Sequence, residues 1–414
     1  MPEHPPATPA ARRPPGTLIG HVDLVSHARI VGWAADRDQP EEQIVVRATV
    51  NGKPMRAIAS LMREDLKSAF PNATGAYGFV LEGFPLPLSP FATHQVEVAF
   101  ARGGAPLPGG TATLPAIGTQ IPHGARAGKR VPIIVTTTGR TGSSLLMARL
   151  ARHAGILVAG EHPHELKLLS YYAAALRTLA ADADRERSTT PETMVALPSR
   201  YFIGHNPYNS PAERHDPDLA PFWRDQAPDM LRDCFAGLVD AYYDCLARKT
   251  EKPVAGFFAE KIGASDFVRE ATAFMFGPVI EIVLVRDPRD IICSSKSFWR
   301  RGFEDSVKAL RSQFKSMSRP RAEAGLRQHV VRYEDLLLTP QQTMAALLGF
   351  LGLSGADLTF DDATEAAVFA QHATRDTPAE TIGRWRREFS AEETVVAERE
   401  LQPFIERYGY SVHR

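Results

Sequence analysis

Three cysteines in 414 residues, Cys234, Cys245 and Cys293, are an odd number without CxxC spacing, which argues against a disulfide framework or a structural zinc knot. Net charge is missing too. The 48 Lys and Arg balance 48 Asp and Glu, so no bulk basic field exists to grip nucleic acid or anionic lipid, although a local patch can still hold one compact anion. No stretch approaches the roughly 18 apolar residues that span a bilayer, and the opening MPEHPPATPAARRPPG lacks the apolar run of a leader. The expectation is a soluble, cytoplasmic protein with no membrane span and no nucleic-acid partner. Against these absences stand 44% apolar and 23% charged residues, a globular composition, in a length that suits two or three domains.

The texture changes along the chain. Residues 1–17 are Pro, Ala and Arg with almost nothing to bury, and read as a disordered tail. Residues 18–116 hold short alternating runs, Ile30-Val31-Gly32-Trp33, Gln43 to Val50 and His94 to Phe100, with the hairpin signal Asn51-Gly52. They predict a small all-β sandwich. Residues 117–130 form a linker of Gly, Pro and basic residues, and 131–414 alternate strands with helices. Val131-Pro132-Ile133-Ile134-Val135 is a buried-type strand, followed by a polar loop and a helix from about Ser143. Val279 to Val285 is a second such strand, and Thr343 to Leu351 a helix. Asp229 to Lys249 reads as an amphipathic helix with Met230, Phe235, Leu238, Val239, Tyr242 and Leu246 near one face. Strands alternating with helices predict a parallel sheet with right-handed crossovers. The segment 182–228 shows little periodicity and is a candidate lining for an acceptor site.

Two segments carry chemistry. In Thr136-Thr137-Thr138-Gly139-Arg140-Thr141-Gly142-Ser143-Ser144, the glycines let backbone N–H groups converge, and the hydroxyls and helix N-terminus add donors. Such a loop suits an anion, or serves simply as a helix cap. It fails the nucleoside-triphosphate pattern GxxxxGK[ST], which weakens any claim for Mg²⁺ and a γ-phosphate. In Arg286-Asp287-Pro288-Arg289-Asp290, a strand delivers Arg286 at its carboxyl end, Pro288 opens a helix, and Ser294 follows eight positions after Arg286. Arg286 and Ser294 can grip a phosphate, or the charges can form a surface network.

Together these segments resemble the sulfotransferase family, whose members move a sulfuryl group from 3′-phosphoadenosine 5′-phosphosulfate (PAPS) to a hydroxyl or amine. The resemblance covers about residues 131–410. Thr138-Gly139-Arg140-Thr141-Gly142-Ser143-Ser144 is similar to the loop that holds the 5′-phosphosulfate, and Arg286 with Ser294 to the 3′-phosphate motif. Tyr333-Glu334-Asp335-Leu336 is similar to the family's structural helix, and Ile382-Gly383-Arg384-Trp385-Arg386 to the late segment that closes over the nucleotide. The resemblance implies a P-loop-like α/β sheet flanked by helices, PAPS as co-substrate with 3′-phosphoadenosine 5′-phosphate as product, and no required metal. Cytosolic members carry Lys where this chain has Arg140, as carbohydrate-type members commonly do. Arg140 is accordingly assigned electrostatic stabilisation only, since Arg does not readily lose a proton.

The chemistry also needs a base. Glu161, seventeen residues after Ser144, resembles the proposed catalytic Glu of carbohydrate sulfotransferases by its spacing, with His162 second and Glu165 third; a structural role, such as Glu161 pairing with an Arg, is the alternative. The cluster Glu161-His162-Pro163-His164-Glu165 is a poor metal site, because Pro163 prevents regular helical presentation. Glu260-Lys261 is similar to a pair found in many bacterial members; Lys261 helps bind acceptor or donor, or the two form a surface ion pair. Trp33, Trp223, Trp299 and Trp385 are read as core, Trp385 with its basic neighbours having the best case as part of a lid. Arg311, Lys315, Arg319 and Arg321 read as a solvated helix face. The β-rich module resembles modules fused to bacterial glycosyltransferases and sulfotransferases, and suits glycan binding, docking or dimerisation. The expected function is sulfuryl transfer to a carbohydrate or glycoconjugate hydroxyl. A P-loop kinase of a small hydroxylated substrate and a non-catalytic nucleotide-binding scaffold are the alternatives.

Overall fold

The structure, a computed structural model, describes residues 17–69, 75–83, 88–118, 128–161, 163–180, 221–317, 326–355, 377 and 379–411. The expected tail up to residue 16, most of the linker, most of segment 182–228, and His162, Arg319 and Arg321 lie outside the described residues. The chain divides into two compact units, Met1–Gly118 with Arg177–Pro228, and Thr119–Leu176 with Asp229–Arg414.

In the first unit eight strands, β1 (Leu18–Val25), β2 (Ile30–Asp36), β3 (Ile44–Val50), β4 (Lys53–Ala59), β5 (Leu61–Met62), β6 (Ala76–Leu81), β7 (His94–Phe100) and β8 (Pro106–Leu114), form two antiparallel sheets. Their orders are β1-β2-β6-β5 and β4-β3-β7-β8. On β3, Ile44, Val46, Ala48 and Val50 are buried while Val45 and Arg47 face out, the alternation of a strand with one wet face. These residues share a core with Val22, Ile30 and Phe79 of the other sheet, so the two sheets pack face to face. Asn51 and Gly52 both take positive φ, 49° and 76°, and close the β3–β4 hairpin in two residues. Asn51 is also anchored, its Oδ1 accepting the Gln95 N–H at 3.0 Å and its amide reaching His94 Nδ1 at 2.8 Å.

The second unit is built on five parallel strands in the order β10-β11-β9-β12-β13. They are β9 (Val131–Thr137), β10 (Ile156–Val158), β11 (Phe257–Ile262), β12 (Ile280–Val285) and β13 (Arg327–Arg332). Both faces are covered. On β12, Ile280, Ile282 and Leu284 enter one core with α1 (Ser143–Arg152) and α8 (Pro340–Leu351), while Val283 and Val285 enter another with α5 (Pro288–Trp299), α6 (Phe303–Met317) and α10 (Ala391–Arg407). That two-sided burial is why the strand reads as an apolar run, broken only by the buried Glu281, whose carboxylate accepts from the Thr136 hydroxyl at 2.5 Å and from Gln328 Nε2 at 2.8 Å. The remaining helices are α2 (Leu168–Leu176), α3 (Ala227–Lys249), α4 (Asp266–Phe276), α7 (Tyr333–Leu338) and α9 (Trp385–Glu388). No described helix is long and apolar enough to cross a membrane.

The face expected for α3 is partly wrong. Met230 is 64% exposed and Leu238 48%, whereas Ala236, Val239, Tyr243 and Ala247 are buried. Their i, i+3/i+4 spacing makes the inward stripe of small and aromatic residues, which an apolarity count passes over. Strand order fixes where a ligand fits. The chain places β10 and β11 on one side of β9 and then crosses to β12 and β13 on the other, the strand order for which the carboxyl end of β9 is the expected place of a ligand.

Candidate functional site

The loop at that end of β9 is tightly determined. Arg140 (φ 68°) and Gly142 (φ 84°) both adopt left-handed backbone. A Cβ on Gly142 would stand 2.4 Å from Cδ2 of Tyr333, so only glycine lets that ring lie against the turn. A Cβ on Gly139 would likewise meet the Trp299 indole at 2.3 Å. Inside the turn, the hydroxyls of Thr137 and Thr141 donate to the Thr138 carbonyl at 2.9 and 3.0 Å. Thr141 is therefore used within the loop. Gly142 gives α1 no side-chain cap, and Ser143 and Ser144 open the helix, whose first amides lack intrahelical acceptors.

The structure brings the second segment onto this loop. Arg286 follows β12, and its Nη1 donates to the Arg140 carbonyl at 2.8 Å. The Arg140 Nε in turn donates to Ser294 Oγ at 3.0 Å, and its guanidinium lies 4.0 Å over the Phe298 ring. Ser294 is on the inner face of α5, a helix that Asp287 caps through the Arg289 N–H and that Pro288 opens. The local sequence thus aims Ser294 at the loop: an N-cap, a proline that fits the first turn, then two turns of helix.

A strap comprising residues 379–388 is fastened over Arg286. The Arg286 Nη2 donates to the Thr381 carbonyl at 2.6 Å, and Thr381 Oγ1 meets the Tyr333 hydroxyl at 2.9 Å. The Asp290 carboxylate accepts the N–H groups of Gly383 (2.7 Å) and Trp385 (3.1 Å). Burial pushes the Asp290 carboxyl up to about 6, against the pull of Arg286 and of those two amides. Trp385 is buried under the Arg289 guanidinium, 3.8 Å from its ring. Arg384 is fully buried and forks onto Glu388 at 3.0 and 3.1 Å. Arg386 is exposed beside Trp385. Gly383 to Arg386 are thus next to the site, with Arg384 and Trp385 turned into packing.

On the other side of the loop, Lys261 does more than a surface ion pair would. Glu260 (1% exposed) and Lys261 (6%) are both buried, and as neighbours on β11 they leave the sheet on opposite faces, so they do not pair with each other. Lys261 Nζ donates to the Pro163 carbonyl at 2.7 Å and to Ser144 Oγ at 3.3 Å, and pairs with Glu165 at 2.5 Å. Burial lowers the Lys261 ammonium from its ordinary value, and Glu165 partly restores it. Lys261 ties the start of α1 to the segment that holds Glu161 and Glu165. Burial would raise the Glu165 carboxyl, but bonds to Lys261 and Lys167 outweigh it and hold it below the usual range. Glu161 is exposed, its backbone carbonyl accepting the His164 N–H at 2.7 Å. His164, buried at a positive φ of 61°, contacts the Gly160 carbonyl through Nδ1 at 2.9 Å.

At the centre Arg140 and Arg286 meet, with the Asp290 carboxylate near Arg286 and Glu388 on Arg384. Burial, with the nearby cations Arg286 and Arg384, brings the Arg140 guanidinium down to about 10, Tyr333 alone opposing. Two buried polar atoms, Arg286 Nε and Thr138 Oγ1, have no hydrogen-bond partner among the described residues. Converging cations and unsatisfied polar atoms suit a compact anion.

From the sequence, two of these groups read as structural only. Tyr333 packs on the loop, lies 4.4 Å from the Arg286 guanidinium and joins the strap. Trp299, read as core, is 46% exposed, because it ends α5 beyond the layers and leans on Gly139; Trp223 is exposed as well. Trp299 lies five residues past Ser294 and one turn beyond Ser295, the last buried position of α5.

No curated protein matches the chain. Among solved structures, it is similar to the sulfotransferase domain of the Synechococcus PCC 7002 olefin synthase, at 19% identity over 71% of this chain and 100% of that one, TM-score 0.38. It is also similar to the sulfotransferase STF9 of Mycobacterium avium, at 14% identity over 69% and 78%, TM-score 0.32. A sulfotransferase from Alicyclobacillus acidocaldarius is similar at 12% identity over 68% and 97%, TM-score 0.33. The glycine loop and the arginine that closes on it both fall within residues 132–357, more than half of the chain, which match the model of the sulfotransferase family, and the chain belongs to that family.

Proposed function

We propose that this sulfotransferase-family protein moves a sulfuryl group from PAPS to a hydroxyl of a carbohydrate or glycoconjugate by in-line displacement. The observation that carries the reading is the meeting of Arg140, Arg286 and Ser294 around one loop, with Arg286 Nε and Thr138 Oγ1 left unsatisfied. Those groups fit an anionic donor. When bound, PAPS supplies the sulfuryl group and departs as 3′-phosphoadenosine 5′-phosphate. Arg286 and Ser294 hold the 3′-phosphate; the loop amides, Ser143 and Ser144 hold the 5′ end. Arg140 stabilises charge growing on the leaving phosphate, and Glu161 takes the acceptor's proton as the new S–O bond forms. Gly383 and Arg386 stand at the strap for the nucleotide, with Arg384 and Trp385 fixing its shape. Arg140 in place of Lys, as in carbohydrate-type members, supports the acceptor class. The residues 18–116 serve as an accessory docking module and 131–414 as the transfer domain. The free thiols of Cys234, Cys245 and Cys293 support a cytoplasmic location.

Calorimetry and a glycan panel test the reading. Expected are binding of 3′-phosphoadenosine 5′-phosphate without metal, weaker binding of ADP, and sulfate transfer to a carbohydrate that falls by about 10²-fold or more in Glu161→Gln. Preference for ATP with Mg²⁺ would favour a kinase. Nucleotide binding without transfer to any acceptor would favour a scaffold.

A further inference from the structure

The carboxylate of Glu260 is buried on the face of β11 opposite Lys261, outside the loop and the charge centre. An ionised carboxylate in such a place is unfavourable unless specific donors meet it. Two do: the Leu169 N–H donates to Oε2 and the Tyr243 hydroxyl to Oε1, each at 2.9 Å. Leu169 is the second residue of α2, where amides have no intrahelical acceptor, so Glu260 caps that helix from a distant strand and at its positive end. Tyr243 is itself fixed, buried and stacked on Phe258 at 4.3 Å. Lys261, one residue on, holds the Pro163 carbonyl and Glu165 from the other face. The stretch between Pro163 and Leu169 is therefore held at both ends by consecutive residues of one strand, and the turn through Glu161 and His164 is continuous with it.

We propose that Glu260 is a positioning residue for the acceptor side of the site: by holding the Leu169 amide while Lys261 holds Pro163, it sets where the turn bearing Glu161 stands relative to Ser144. This rests on the reading of Glu161 as the base, and the variant that tests one leaves the other intact. Glu260 touches no reacting group and acts through the segment it fixes.

The test compares Glu260→Gln, which keeps an acceptor oxygen for the Leu169 amide, with Glu260→Leu, which does not. Hydrogen–deuterium exchange of full-length protein is followed over 163–172 and over β9, alongside acceptor KM, kcat and the affinity for 3′-phosphoadenosine 5′-phosphate. In Glu260→Leu, exchange over 163–172 should rise roughly tenfold, as expected for loss of one charge-assisted hydrogen bond. Acceptor KM should rise with it while β9 exchange and nucleotide affinity stay at wild type, and Glu260→Gln should restore both. Unchanged exchange over 163–172 in Glu260→Leu, or β9 exchange and nucleotide affinity changing equally, overturns the proposal. The exchange arm needs no turnover, so a fully active Glu161→Gln enzyme would remove the base assignment without deciding the positioning claim.

Discussion

Arg140 and Ser294, 154 positions apart in sequence, meet at 3.0 Å with Nε donating to Oγ. Through that bond the loop after β9 and the helix after β12 become one surface, with Arg286 closing the arrangement on the Arg140 carbonyl. The backbone carbonyl and the guanidinium of Arg140 thus have separate partners, and a side-chain substitution removes only the second.

Arg140→Ala should accordingly leave the loop's closure on Arg286 intact while removing the cation proposed to stabilise the departing phosphate. A fall in kcat of about 10²–10³-fold is expected, the size typical of losing one preorganised stabilising donor. Arg140→Lys keeps the charge without the planar fork and should fall between. Steady-state kinetics with the best acceptor of the panel would measure both; a kcat within threefold of wild type in Arg140→Ala would remove the electrostatic assignment.

Gly142 and Tyr333 make a second prediction, about stability. The Tyr333 ring is held by Thr381 on one side and lies against the Arg286 guanidinium, so it cannot simply retreat from a methyl placed 2.4 Å away. Gly142→Ala should cost about 1–3 kcal/mol from overpacking, with backbone strain at φ 84° adding to it. In a Tyr333→Ala background the overpacking disappears and only the strain remains. Denaturant unfolding of the four proteins in this cycle should show a coupling; an equal cost in both backgrounds would mean the contact is not what requires glycine.

How much of this was legible in the sequence follows from how local each feature is. The β3–β4 hairpin was, because Asn51 and Gly52 themselves supply the positive φ that the turn needs. The parallel sheet was, because Val131 to Val135 and Val279 to Val285 are apolar but for Glu281, as two-sided burial requires; the edge strand β13, which reads Arg-Gln-His-Val-Val-Arg, carries no such run and was not. The inward face of α3 was not: its stripe runs through Ala236 and Ala247, which carry little apolar signal, and Met230 stays outside. Glu260 and Lys261 looked like neighbours free to pair, since partners 91 and 117 positions away, Leu169 and Ser144, leave no mark in the local pattern. The Asp290 clamp on Gly383 and Trp385 is hidden for the same reason, the two ends lying more than 90 positions apart.

Glu260 also makes stability depend on pH in a definite direction. Burial raises its carboxyl from 4.5 to about 7, against the Leu169 amide and the Tyr243 hydroxyl, which favour the ionised form. The folded protein therefore binds a proton there more tightly than the unfolded chain does, and between pH 4.5 and about 7 the folded state carries the excess proton. This contribution is fully present below pH 4.5 and is lost as pH rises through about 7. Glu260→Gln cannot ionise, and so lacks that loss while keeping an acceptor for Leu169. Thermal unfolding of both proteins from pH 5 to pH 8 should show the midpoint of Glu260→Gln gaining steadily on wild type and then levelling off above neutrality. A constant gap across that range, or one that narrows, would mean that the carboxylate is no harder to ionise in the fold than in water, and the buried geometry around Leu169 and Tyr243 would have to be redrawn.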